Sequence, residues 1–101
     1  MMTEELIEQE LRIQDVLEMK YVLSIIHFLK EKPGATKTDL IKGLEANDRT
    51  IFLRLNDLFM CGIIDFDEEN RKHNTTKIFL TKKGQELSIY VENLLRFCES
   101  I

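Results

Sequence analysis

Residues suited to bond-making chemistry are scarce in this chain. Of 101 residues, two are cysteine and two are histidine. Cys61 and Cys98 lie far apart with no CxxC spacing, so they read as two half-buried thiols near helix ends rather than a disulfide or a metal pair. His27 stands among Ile25, Ile26, Phe28 and Leu29 and reads as a histidine on the side of a helix, while His73 falls in a polar stretch. A zinc site would need all four residues to converge, and no metal is expected. The sequence also has no glycine-rich phosphate loop, no HExxH, no GxSxG and no nucleophile paired with a base. The acidic run Asp67, Glu68, Glu69 has no glycine turn and no spaced ligands of a calcium loop, so it reads as a solvated turn. No catalytic residue and no cofactor is expected. Long apolar runs are missing too, which excludes a membrane span, and the N-terminus does not have the basic-then-apolar layout of a signal peptide. A cytoplasmic protein is the expectation. There is no internal repeat and no low-complexity segment.

What is present is enough for one domain with one core: 44% hydrophobic residues beside 32% charged. The net charge of −4 argues against binding nucleic acid by bulk charge alone. Its distribution changes that reading. Residues 1–19 carry six acids and one base, whereas residues 70–85 carry five bases (Arg71, Lys72, Lys77, Lys82, Lys83) and no acid.

The chain is organised around Asn47 to Ile64, NDRTIFLRLNDLFMCGII. Asn47 is placed to cap a helix, with Asp48 at the positive end of its dipole. Ile51, Leu55 and Leu58 recur at helical spacing, and Gly62 supplies the left-handed residue that stops the helix before Ile63 and Ile64 begin a buried strand. Before it, Thr3 with Glu4 and Glu5 can open a first helix carrying Leu6, Ile7, Leu11 and Ile13. Asp15 to Glu18 has capping-box spacing, so a second helix starts there or the first runs through. Val22, Leu23, Ile25, Ile26 and Leu29 make the following helix the most apolar and central one, ended by Pro33-Gly34. Ala35 leaves space for only a very short strand. Thr36 to Asp39 is again a capping box, opening a short helix with Leu40, Ile41 and Leu44 inside. Glu45-Ala46-Asn47 is then the short connection of a helix-turn-helix. Ile63 to Phe66, a polar loop from Asp67 to Asn74, and Thr75 to Leu80 form a hairpin. Thr81 caps a long final helix with Leu87, Val91, Leu94, Leu95 and Cys98 spaced by three or four.

This order resembles a winged helix-turn-helix domain: mainly α with a small β-hairpin (α+β), plus an extra N-terminal helix and a long C-terminal helix. Thr50-Ile51, Leu55, Leu58 and Gly62-Ile63-Ile64 are similar to the recognition-helix pattern of bacterial and archaeal winged-helix regulators. Leu80-Thr81-Lys82-Lys83-Gly84 looks like the L-T-x-x-G entry into the helix after the wing in MarR-like and HxlR-like repressors. The resemblance covers residues 19–92. It implies one domain over residues 1–101, with a helical extension at 1–18, the winged core at 19–80 and a dimerising helix at 81–101.

It further implies a transcription regulator that binds double-stranded DNA as a homodimer, with no identified small-molecule effector. Its second helix-turn-helix helix would enter the major groove and its wing would lie on the backbone. By position, Arg49, Thr50 and Arg54 would face bases, Lys37 a phosphate, and Arg71, Lys72, His73 and Lys77 the backbone or minor groove. Leu6, Leu11, Leu87, Val91, Leu94 and Cys98 would form the dimer interface.

Another reading comes from Phe52, Leu53, Phe59, Met60 and Cys61, which make the organising helix apolar nearly all round. Such a helix is normally buried on more than one side, by the N-terminal helix or by a second chain. With the acidic balance, these residues suit a winged-helix module that binds protein and not DNA.

Overall fold

The computed structural model describes residues 12–67 and 76–101. The helix expected from Thr3 through Leu11 and the polar tip of the hairpin lie outside them. Among the described residues the chain folds as α1 (Ile13–Leu17), α2 (Val22–Glu31), α3 (Lys37–Leu44), α4 (Asp48–Met60), β1 (Ile64–Phe66), β2 (Ile78–Leu80) and α5 (Lys82–Ser100). This is the winged helix-turn-helix arrangement.

Helix α2 is the hub. Val22, Ile25, Ile26 and Leu29 are all sealed from solvent, and they meet Leu40 of α3, Ile51, Leu55 and Leu58 of α4, Ile64 and Ile78 of the hairpin, and Val91 of α5 in one cluster. Neither alternative expected at Asp15, a helix start there or one helix running through, is what the chain does: Arg12 is extended and α1 begins at Ile13. Asp15 sits within the first turn of α1, and the break falls between Glu18 and Tyr21, where Tyr21 takes a left-handed φ of 73° ahead of Val22. Val16 is fully buried, so packing sets where the chain breaks, and local capping spacing does not.

The remaining boundaries follow the sequence pattern. Pro33-Gly34 follows α2, Ala35 makes a single bridge to Ile78, and Thr36 and Asp39 complete a capping box at the start of α3. β1 and β2 pair antiparallel with Ile64 opposite Leu80 and Phe66 opposite Ile78. No described helix is long and apolar enough to cross a membrane.

The strongest constraint on the geometry is where α4 ends and α5 begins. Gly62 takes φ +75°, a conformation that only glycine adopts without strain, and turns the chain out of α4. Thr81 then clamps the turn: its hydroxyl donates to the Gly62 carbonyl at 2.6 Å and the Ile63 carbonyl at 3.1 Å, and accepts from the Gly84 amide at 3.0 Å. The Thr81 amide also donates to the Ile63 carbonyl at 3.0 Å. Lys83 donates from Nζ to the Cys61 carbonyl at 2.9 Å, so a cation sits at the negative end of the α4 dipole. Gly84 allows the approach, since a Cβ there would lie 2.1 Å from the Ile63 carbonyl oxygen. The T-K-K-G run is therefore a lock between α4, the hairpin and α5.

Gly84→Ala is expected to force these backbones apart and destabilise the fold by about 1–3 kcal/mol, in the range for overpacking. Urea unfolding at fixed temperature checks this; a variant as stable as the parent would remove the lock from the account.

Candidate nucleic-acid interface

The outward side of α4 is set by what its inward side buries. Ile51, Leu55 and Leu58 occupy the core, so residues half a turn away face solvent: Arg49, Leu53, Asn56 and Met60 form the outermost row, with Phe52 beside it. The first turn is fixed by Asn47, whose side chain accepts from the Thr50 amide at 3.1 Å. Thr50 is consequently only half exposed, its amide tied to the cap.

The charges on this helix are arranged asymmetrically. Its two carboxylates are both ion-paired: Asp48 with Lys37 Nζ at 3.0 Å, and Asp57 with Arg54 at 3.4 Å. Lys37 also lies over the Phe52 ring at 5.8 Å. Arg49 is exposed, and neither it nor Asn56 has a side-chain partner among the described residues. The helix thus offers one uncommitted cation and one uncommitted amide on an otherwise apolar outer row.

The site residues expected from sequence divide accordingly. Arg49 stands outward. Arg54 does not: its Nε donates to the Lys20 carbonyl at 3.2 Å, and the guanidinium is turned toward the loop between α1 and α2. It is placed to anchor α4 and neutralise Asp57, and in this arrangement it is not a base-reading group. Lys37 is at the start of α3 as expected, but already paired. Lys77 is exposed ahead of β2. Arg71, Lys72 and His73 lie outside the described residues.

Asn56 was missed by the sequence reading, although its position seven residues after Arg49 places it on the same row. Lys83 stands in the sequence as part of a basic block and of the L-T-x-x-G run; its bond to the Cys61 carbonyl is a tertiary contact that spacing does not reveal. Among the described residues the outer apolar side chains of α4 are left open: Phe52 is 59% exposed and Met60 69%, and the Phe59 ring lies 5.4 Å from that of Phe66.

The residues of the last helix expected to meet a partner divide between the core and the surface: Leu94 and Cys98 are exposed, Val91 and Leu87 are not. Val91 is buried in the chain's own core and is unavailable to a partner, and Leu87 is partly buried against that core. The exposed row is Tyr90, Leu94, Phe97 and Ile101, spaced by four, three and four, with Cys98 exposed at its edge. Leu6 and Leu11 lie outside the described residues. α5 is held to α2 by Lys30, whose Nζ is 3.1 Å from the Glu92 carboxylate; that hydrogen bond holds the Glu92 carboxyl below its ordinary pKa. Beside it, His27 keeps Nδ1 buried without a partner and Nε2 4.0 Å from Glu31, and no described group of three His, Cys, Asp or Glu side chains is arranged to hold a metal ion. Cys61 is buried at the end of α4, and that burial pushes its thiol pKa up, away from a reactive thiolate.

The fold itself is that of winged-helix regulators. The chain is similar to the solved structure of a possible HxlR family transcriptional factor from Thermoplasma volcanium GSS1, at TM-score 0.76 and 21% identity over 88% of this chain and 80% of that one. It is also similar to FabT of Streptococcus pneumoniae in complex with DNA (TM-score 0.69, 20% identity, 80% of this chain and 57% of that one). MarR of Staphylococcus aureus in complex with salicylate and kanamycin superposes at TM-score 0.71 with 17% identity, over 85% of this chain and 60% of that one. At these identities the likeness is one of fold. No protein-family model matches the sequence, and no curated protein matches it.

The capping box that fixes Lys37 has a titratable part. The Thr36 amide donates to the Asp39 carboxylate at 3.0 Å, which holds that carboxyl below its usual value of 3.8. A depressed carboxyl pKa contributes stability above its unfolded value, and that contribution is lost as pH falls through the lowered folded value. Asp39→Ala is therefore expected to be less stable than the parent at about pH 7, with the gap narrowing toward about pH 3, followed by urea unfolding at both. A gap that stays constant across this range would show that the carboxylate's charge has no part in the cap.

Proposed function

We propose that this chain is a DNA-binding transcription regulator that works as a homodimer, with α4 in the major groove and the hairpin beside the backbone. One observation carries the reading. The second helix of a helix-turn-helix faces outward with both of its carboxylates neutralised and with Arg49 uncommitted, in a protein whose net charge is acidic. Arginine makes a bidentate contact to guanine O6 and N7, and one such pair discriminates by about 1–3 kcal/mol. The structural neighbour solved with DNA supports the same use of the fold.

Lys37 becomes a phosphate contact when a phosphate displaces Asp48, with which it is now paired. Asp48→Asn frees that lysine and removes a carboxylate from the interface. The variant is expected to bind a selected duplex more tightly than the parent and with a steeper salt dependence, by about 0.9 in the slope of log affinity against log salt for each phosphate gained. Arg49→Ala is expected to weaken binding by the base-contact energy and relax sequence preference. Fluorescence anisotropy over a salt series checks both; variants indistinguishable from the parent would remove these residues from the contact set.

The dimer reading rests on the exposed row Tyr90, Leu94, Phe97 and Ile101. An unbroken apolar row with this spacing along a 19-residue helix suits a twofold-related copy. Phe97→Glu is expected to convert a dimer at tens of micromolar to monomer without loss of helicity, read by light scattering after size exclusion. A parent chain that is monomeric under those conditions overturns the dimer.

A second reading, a winged-helix module that binds protein, is favoured by the exposure of Phe52 and Met60. Ionic strength separates the two readings. Binding to about six to ten phosphates loses roughly 10³–10⁵ in affinity between about 50 and 200 mM salt, and an apolar protein interface loses little.

A further inference from the structure

The outer row of α4 is unusual for a helix that reads bases, because its centre is apolar. Phe52 and Leu53 are 59% and 40% exposed, and they stand between Arg49 and Asn56, whose side chains have no partner among the described residues. Hydrogen-bonding side chains distinguish guanine and adenine in the major groove, but the thymine C5-methyl group is the one apolar feature on that groove's floor. An exposed phenyl ring and an isobutyl group offer the surface that such a methyl group needs.

The charge pattern selects this occupant over a protein surface. Arg49 stands exposed in the first turn of α4, where Lys37 is taken up by Asp48, and Lys83 lies at the last carbonyls, so a cation stands at each end of the apolar centre. The helix's own acids are neutralised. Its 13 residues span about 20 Å, and the major groove, about 12 Å wide, admits one such helix between two rows of phosphates.

We infer that α4 reads thymine methyl groups through Phe52 and Leu53, with Arg49 and Asn56 fixing register on a flanking guanine and adenine. This deepens the proposed DNA-binding function and rests on it. The preferred duplex would carry thymines at the steps opposite Phe52 and Leu53, and recognition there would depend on the methyl group and not on a hydrogen bond.

The test replaces that methyl group alone. A pool of random duplexes is selected for binding to the full chain, and a winning duplex is resynthesised with deoxyuridine in place of thymidine, one position at a time. Uracil at one or two central positions is expected to weaken binding about fourfold per methyl group, the factor equivalent to ~0.8 kcal/mol for a buried methyl-sized group. In the doubly substituted Phe52→Ser, Leu53→Ser chain the thymine-over-uracil preference should vanish. Both residues are exposed, so this chain should unfold at the parent's temperature. If the parent binds every uracil duplex as tightly as the thymine original, or the double variant keeps the preference, the methyl reading is overturned while DNA binding stands. A selection that enriches no duplex overturns both.

Discussion

The Thr81 hydroxyl, shared between the Gly62 and Ile63 carbonyls and the Gly84 amide, is the contact on which the rest of the arrangement depends. It joins the end of α4 to the start of α5 across the base of the hairpin. Three elements far apart in sequence are thereby held at one vertex. With Gly84 tight against Ile63 and Lys83 on the Cys61 carbonyl, the vertex leaves little freedom for α4 to pivot. A helix that must present a particular row of side chains needs its rotation fixed, and burial of Ile51, Leu55 and Leu58 alone tolerates some roll. The clamp at Gly62 removes that freedom at one end and the Asn47 cap removes it at the other.

Electrostatics follows from the same placement. The chain is acidic as a whole, yet the first 19 residues carry six acids against one base, and the two acids on α4 are matched with bases from other elements or turns. Lys37 reaches Asp48 from α3, and Arg54 holds Asp57 from one turn away while bonding to the Lys20 carbonyl. Arg54 thus influences the outer face without touching it, by keeping Asp57 from adding a negative charge there. A net charge says little about a binding face when ion pairs of this kind divide the surface into neutral and uncommitted parts.

Sequence pattern revealed most of the fold because the relevant signals are local. Asn47, Thr36 with Asp39, Pro33-Gly34, Gly62 and Thr81 each act within a few residues, and each element begins or ends where they stand. One boundary and one side-chain direction depend on distant partners and are not legible in the sequence. The break at Glu18 to Tyr21 is imposed by burying Val16, and the direction of Arg54 is imposed by the Lys20 carbonyl, thirty-four residues away. The last helix shows a different limit. Apolar residues at spacings of three and four trace two adjacent rows on α5, one through Val91 and one through Leu94. Spacing gives the existence of both, and only the packing of α5 on α2 decides which of them the core takes.

Two of the apolar surfaces exposed among the described residues differ in composition in a way that bears on what could cover each. On α5 the row Tyr90, Leu94, Phe97, Ile101 is continuous, with no polar residue inside it, which suits a flat partner that buries the whole row. On α4 the apolar centre is narrow and is flanked by Arg49 and Asn56, each with hydrogen-bonding capacity unused among the described residues. A partner covering α4 must satisfy a guanidinium and a carboxamide as well as a ring and an aliphatic group, because burying either polar group unpaired costs about 1–3 kcal/mol or more. The floor of the major groove offers acceptors, donors and methyl groups at alternating positions, so it can meet all four side chains at once. That combined requirement, together with the uncommitted Arg49, is the physical ground on which the proposed use of α4 rests.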